Sequence, residues 1–192
     1  MQNARAITTI VALTLAAAAT RLFPHPPGFT AVTAMCLFGG AYFHRRWAAL
    51  LVPMAALLVS DVVLMTVVYR GWSFSGAVNS VWMNYVAFGL IVLLGMLLRG
   101  RVTVGRTASA TVLATALFFL LTNFKVWALG HGNLYPHTPA GLLACYVAAL
   151  PYALNDLLGN AFYVTILFGS MELLKRRWPA LVEQPAPVPV EA

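Results

Sequence analysis

The sequence predicts an all-α, polytopic membrane protein with six transmembrane helices, and three observations carry that reading. Of its 192 residues, 61% are hydrophobic and only 9% are charged, with a mean hydropathy of +0.82. A soluble domain carries about 25% charged residues, so there is too little polar surface here to clothe a soluble globule. Charges and turn residues cut the chain into six apolar runs. The basic residues fall in short clusters between those runs: Arg45 with Arg46, Arg99 with Arg101 and Arg106, and Lys175 to Arg177. That pattern fits a membrane protein's loops better than a nucleic-acid surface, which would interleave a basic stripe with aromatics. A nucleic-acid partner is not expected, and the lipid bilayer is.

The first run covers residues 6–20. Its basic start and the small residues of "AAAAT" also have features of a secretory signal. A retained helix is favoured, because no soluble domain follows for export. The prolines of "RLFPHPPGF" end this run, and a second, short run covers residues 30–43. The third to sixth cover residues 47–69, 78–98, 107–129 and 141–168. These four meet the requirement of about 20 apolar residues for a span; the first two need a short or tilted helix, or some extension into their flanks. Together they make one transmembrane domain over residues 1–178. The Pro-rich tail over residues 179–192, ending "EQPAPVPVEA", reads as disordered.

Six spans place both termini on one side. Loops and ends on that side carry nine Lys and Arg residues against two on the other, which puts the termini in the cytoplasm of a bacterial inner membrane. Depth then follows from the rise of about 1.5 Å per residue. Asp61 lies about 21 Å along the third helix from Trp47. Asn84 and Tyr85 fall near the outer end of the fourth helix, and Asn123, Lys125 and Trp127 at the outer end of the fifth. Asn155 and Asp156 fall near the middle of the sixth, with Asn160 a turn deeper. His25, His131, Tyr135 and His137 occupy outer loops.

A charged side chain in hydrocarbon costs about 2.5–3.5 kcal/mol on insertion scales and usually faces a bundle interior or cavity. Asp61, Asn84, Tyr85, Asn123, Lys125, Trp127, Asn155 and Asp156, with His25, Tyr135 and His137 from the loops, are therefore the candidate ligand-binding residues. Other readings stay open for several. Lys125 can pair with Asp61 or Asp156, or snorkel to the interface. Trp127 and Tyr135 suit an interfacial belt. Asn155 and Asn160 suit interhelical hydrogen bonding, one of them on the carbonyl freed by Pro151.

Catalysis finds little support: HExxH, a paired intramembrane Asp motif and a Ser with a His partner are missing, as is a P-loop. Cys36 and Cys145 have no metal-ligand spacing, the histidines offer only a loop pair six apart, and no cofactor or metal is expected.

Three stretches, "RLFPHPPGFTAVTAMCLFGGAYF" (21–43), "VPMAALLVSDVVL" (52–64) and "LLTNFKVWALGHGNLYPHTPAGLLACYVAALPYALNDLLGNAFYVTILFG" (120–169), resemble a bacterial membrane family, domain of unknown function 6580, described only as transport proteins. That family is similar in turn to the substrate-binding S components of energy-coupling-factor (ECF) vitamin transporters. The resemblance implies an ECF S-component-like bundle with an outward-opening pocket for a vitamin-like small molecule. It also implies a possible coupling subunit with ATPases as partners, docked through an Ala-xxx-Ala pattern that Ala12 and Ala16 match. Cobalamin or a related corrinoid is the ligand suggested by solitary members of the superfamily. Their cobalt-binding loop cysteine has no counterpart here, Ser80 standing just after the third loop, and Asn160 stands where an acidic residue is expected. A membrane scaffold with no transported ligand is the alternative.

Overall fold

The computed structural model describes residues 3–68, 74–130 and 134–179, with the backbone alone for 68 and 74–81. Arg70, His131, the side chain of Ser80 and the tail from residue 180 lie outside the described residues.

Among the described residues the chain is all helical, with no strand. Six α-helices follow one another: α1 (Ala4–Ala19), α2 (Val32–Tyr42), α3 (Arg46–Val63), α4 (Phe74–Met96), α5 (Val104–Leu129) and α6 (Pro139–Arg177). A 3₁₀ turn, Thr20–Leu22, extends α1, and a π-helical turn, Leu64–Val68, extends α3. Four helical stretches are long and apolar enough to cross a membrane: Ala4–Leu22, Arg46–Val67, Val104–Leu129 and Pro139–Arg177. The sequence reading of six spans is thus met by six helices, four of them of spanning length.

The largest departure is α2. Its 11 residues rise only about 16 Å, roughly half of the 30 Å hydrocarbon layer. Residues 32–41 are all buried, as expected for a helix that is apolar on every side. α2 stands at the centre of the bundle, packed against all five other helices. What the sequence suggested as a second span is a half-length helix walled off from lipid.

Residues 23–31 make up the missing depth. Here the chain leaves the surface and packs on the middle of α6: the Phe29 ring lies 5.7 Å from that of Phe162 and 5.9 Å from that of Tyr163. The Asn155 amide donates to the Pro27 carbonyl at 3.1 Å. Asn155 therefore holds this loop, and not the carbonyl freed by Pro151 within α6. Gly28 turns the chain at φ +83° against the Tyr152 carbonyl, a conformation open to glycine at no steric cost. Residues 23–27 stay exposed, residues 28–30 are half-buried against α6, and the chain is fully buried only from Ala31 onward.

Close backbone approach fixes α2 in place. A Cβ on Gly40 would meet the carbonyl of Val92, and a Cβ on Gly95 the carbonyl of Leu37. Gly39 faces the other way, onto the Pro53 ring of α3. Small residues drive helix association in lipid by this route. At its C-terminal end α2 is closed by Arg99, which donates to the Gly40 carbonyl at 2.9 Å and the His44 carbonyl at 3.4 Å. Desolvation, then the charge of Arg46, lowers the Arg99 pKa; the negative end of the α2 dipole favours its cation.

α5 buries a single stripe, Thr107, Ala110, Thr111, Ala114 and Thr115, at the helical spacing of one face. Asn160 of α6, fully buried, donates to Thr115 Oγ1 at 2.9 Å. We expect Thr115→Val to lower stability by about 1 kcal/mol, measured by thermal unfolding in detergent, with Val112→Ala on the exposed face as a neutral comparison.

Candidate functional site

The helices alternate in direction, so the ends of α1, α3 and α5 meet the starts of α4 and α6. α2 begins only half-way down, leaving a cavity of about 370 Å³ above its N-terminus. Helices α2 to α6, the turn after α1 and the loop that follows it all contribute to the wall. Arg21 comes from the turn after α1, Gly28 and Thr30 from the half-buried end of the loop that follows, and Val32 from α2. Leu57 and Asp61 come from α3, Asn84, Tyr85 and Phe88 from α4, and Phe118, Phe119, Thr122 and Asn123 from α5. α6 supplies Ala149, Tyr152, Ala153 and Asp156.

Charge is organised on one side. Arg21 pairs with Asp61 at 2.7 Å and donates to Ser60 Oγ at 2.5 Å. The Tyr85 hydroxyl donates to the second Asp61 oxygen at 2.8 Å. Asp61 is therefore neutralised by Arg21, the residue that the sequence reading counted only as a loop charge, and its pairing with Lys125 is not what the fold forms. Arg21 reaches it because the 3₁₀ turn brings the end of α1 alongside the last turns of α3.

Asp156 stands apart. It is 8% exposed, lines the cavity, and meets no hydrogen-bond donor or cation among the described residues. The α2 N-terminus opens on the same space with no side-chain cap at Ala31. Its Val32, Thr33 and Ala34 amides precede the first helical bond, which Met35 makes to the Ala31 carbonyl at 2.8 Å. Polar groups left open in a buried wall are what a ligand or ordered water satisfies.

The opposite wall is aromatic. Phe88 and Phe118 stack with ring centres 5.0 Å apart and planes 14° from parallel. Asn123 donates its side-chain amide to the Phe119 carbonyl at 2.8 Å. Behind it, Cys145 and Tyr146 of α6 donate to the Asn123 and Leu120 carbonyls at 3.5 and 2.9 Å.

Of the residues singled out in the sequence, the fold brings Asp61, Asn84, Tyr85, Asn123 and Asp156 around one space. The others lie elsewhere. His25 is exposed and bonds to the Phe23 carbonyl. Trp127 donates to the Pro136 carbonyl at 3.0 Å and meets His137 edge-on, so this pair clasps the α5–α6 connection. Lys125 and Tyr135 are partly buried outside the cavity lining, and Asn155 faces the loop. Ala12 and Ala16 are exposed on α1. Arg21, Phe88, Phe118 and Tyr152 were missed; only Arg21 carried a signal, as a lone cation beside the Pro-rich stretch. Among the described residues no three His, Cys, Asp or Glu side chains gather to hold a metal.

The match to a known family spans residues 1–181, almost the whole chain. The protein belongs to DUF6580, a family of unknown function. Comparisons with curated proteins and with solved structures gave no match. The DUF6580 assignment thus comes without a described activity, and the cavity is the feature from which a function is argued.

Proposed function

We propose that this DUF6580 protein captures a small polar organic molecule within the membrane and passes it inward, as an S component or a solitary transporter. The observation that carries the reading is the cavity itself. Its wall sets Asn84, Asn123, Tyr85 and two carboxylates against stacked aromatic rings, the mix of apolar lining and few placed polar groups that small-molecule sites share. The half-length α2, its N-terminus turned to the cavity, has the geometry of the broken helices that line transporter sites.

On this reading all six helices lie in the bilayer of a bacterial inner membrane. Ala4 and Arg177 share one end of the bundle with the Arg45, Arg46, Arg101 and Arg106 clusters, which makes that end cytoplasmic and turns the cavity outward. The likeness to S components rests on the sequence resemblance alone, and so does any coupling subunit docking at Ala12 and Ala16. The cavity of about 370 Å³ gives room for a small organic molecule; cobalamin or a related corrinoid as that molecule rests on the sequence resemblance alone.

Native mass spectrometry of the purified full chain tests the reading. We expect one co-purified small molecule per chain. Asn84→Ala and Asn123→Ala should each lower its retention about tenfold, the equivalent of 1.4 kcal/mol, while Lys125→Ala and His137→Ala retain it. Retention that falls equally in all four variants would remove this cavity as the binding site, and a wild-type chain that carries nothing and binds no member of a vitamin panel would favour the scaffold reading.

A further inference from the structure

We infer that the molecule this cavity accepts is a small organic cation with a flat apolar body, its positive group set against Asp156. The inference rests on the capture reading above. Two carboxylates line the cavity, but they are not equivalent. Asp61 already has a full counter-charge in Arg21 at 2.7 Å and a second donor in Tyr85 at 2.8 Å. Asp156 is 8% exposed and has no such partner among the described residues.

A carboxylate held in a largely buried residue, open only to the cavity and without a counter-charge, is disfavoured, and a bound cation supplies what the fold withholds. Lys125, the nearest candidate from the sequence, is not part of the lining. The α2 N-terminus offers only about half a positive charge, and none of its amides hydrogen-bonds to Asp156. Those amides suit an acceptor oxygen elsewhere on the same molecule.

The remaining wall matches the same chemistry. Tyr85, Phe88, Phe118, Phe119 and Tyr152 all border the space. Aromatic faces attract cations through the ring quadrupole, most strongly where water is excluded. Arg21 guards against a second positive group near Asp61, so the arrangement selects one cation and places it on the α6 side.

Three probes that share an indole ring separate charge from shape: tryptamine as cation, tryptophol as neutral and indole-3-propionate as anion. Phenethylammonium and benzyltrimethylammonium extend the cationic arm to other ring sizes. Binding to the detergent-purified full chain is read from thermal shift and titration. The expected result is that at least one cation binds about tenfold or more tighter than the neutral and anionic probes. Asp156→Asn, which preserves shape, abolishes that preference while its ligand-free melting temperature stays close to wild type. Should that variant not fold, the wild-type ranking decides by itself. Equal or tighter binding of tryptophol or indole-3-propionate, or no binding of any cation, overturns the inference. In that case a neutral or anionic molecule found on the purified protein by native mass spectrometry would leave the capture reading standing, and its absence would remove both.

Discussion

Gly95→Leu should cost about 3 kcal/mol or more and leave a bundle that no longer packs around α2. The site has no slack: a Cβ at Gly95 meets the carbonyl of Leu37, and a Cβ at Gly40 meets that of Val92. Both obstacles are backbone, so no rotamer change relieves them, and α4 must move away from the central helix. Because α2 ends below the cavity floor, the shift also displaces Phe88 and Tyr85, about two and three turns toward the cavity on the same helix. Gly169→Ala is the matched comparison: nothing lies within 4 Å of its Cβ position, and helix propensity predicts a gain of up to about 1 kcal/mol. Unfolding of both variants in mixed micelles measures the difference. Similar stabilities would show that the α2–α4 crossing is looser than described.

The second large effect belongs to the Arg21–Asp61 pair. Arg21→Met should destabilise by about 3 kcal/mol, because it strands a carboxylate whose side chain is only 14% exposed and whose remaining donor is the Tyr85 hydroxyl. Arg21→Met combined with Asp61→Leu should recover most of the loss, since removing both charges is often neutral where removing one is not. A double-mutant cycle by thermal unfolding reads the coupling directly. If the double variant is as weak as the sum of the singles, the pair is not what holds the end of α1 against α3.

Much of the helical framework was legible in hydropathy, because a membrane span writes its length into composition. α5, and α3 together with its π-helical turn, begin and end within a few residues of their apolar runs, and α6 continues past Phe168 through the basic cluster to Arg177. α2 was not legible as a half-length helix. "FTAVTAMCLFGGAYF" is equally apolar whether lipid or protein surrounds it, and only the pairing of Gly39 and Gly40 with α3 and α4 decides between them. The same limit governed the site. Asp61 and Asp156 stood out because a carboxylate at depth is costly, but hydropathy is blind to rotation about a helix axis. Depth alone made Asn123 and Lys125 both candidates, while their spacing of two already turned Lys125 to another face, and Asn123 is the one in the lining. Hydropathy also missed that Arg21, read as a loop charge, folds back onto Asp61, since that depends on the 3₁₀ turn after α1.

An experimental density map of the full chain, crystallised from a lipid phase without added ligand, tests the central claim most directly. The account predicts a half-length α2 beneath a cavity bounded by Asp61, Asn123 and Asp156, with density for one small non-protein molecule lying on Phe88 and Phe118. A map in which α6 closes onto α3 and α4, with Asp156 bonded to a protein donor and no space between them, would contradict it.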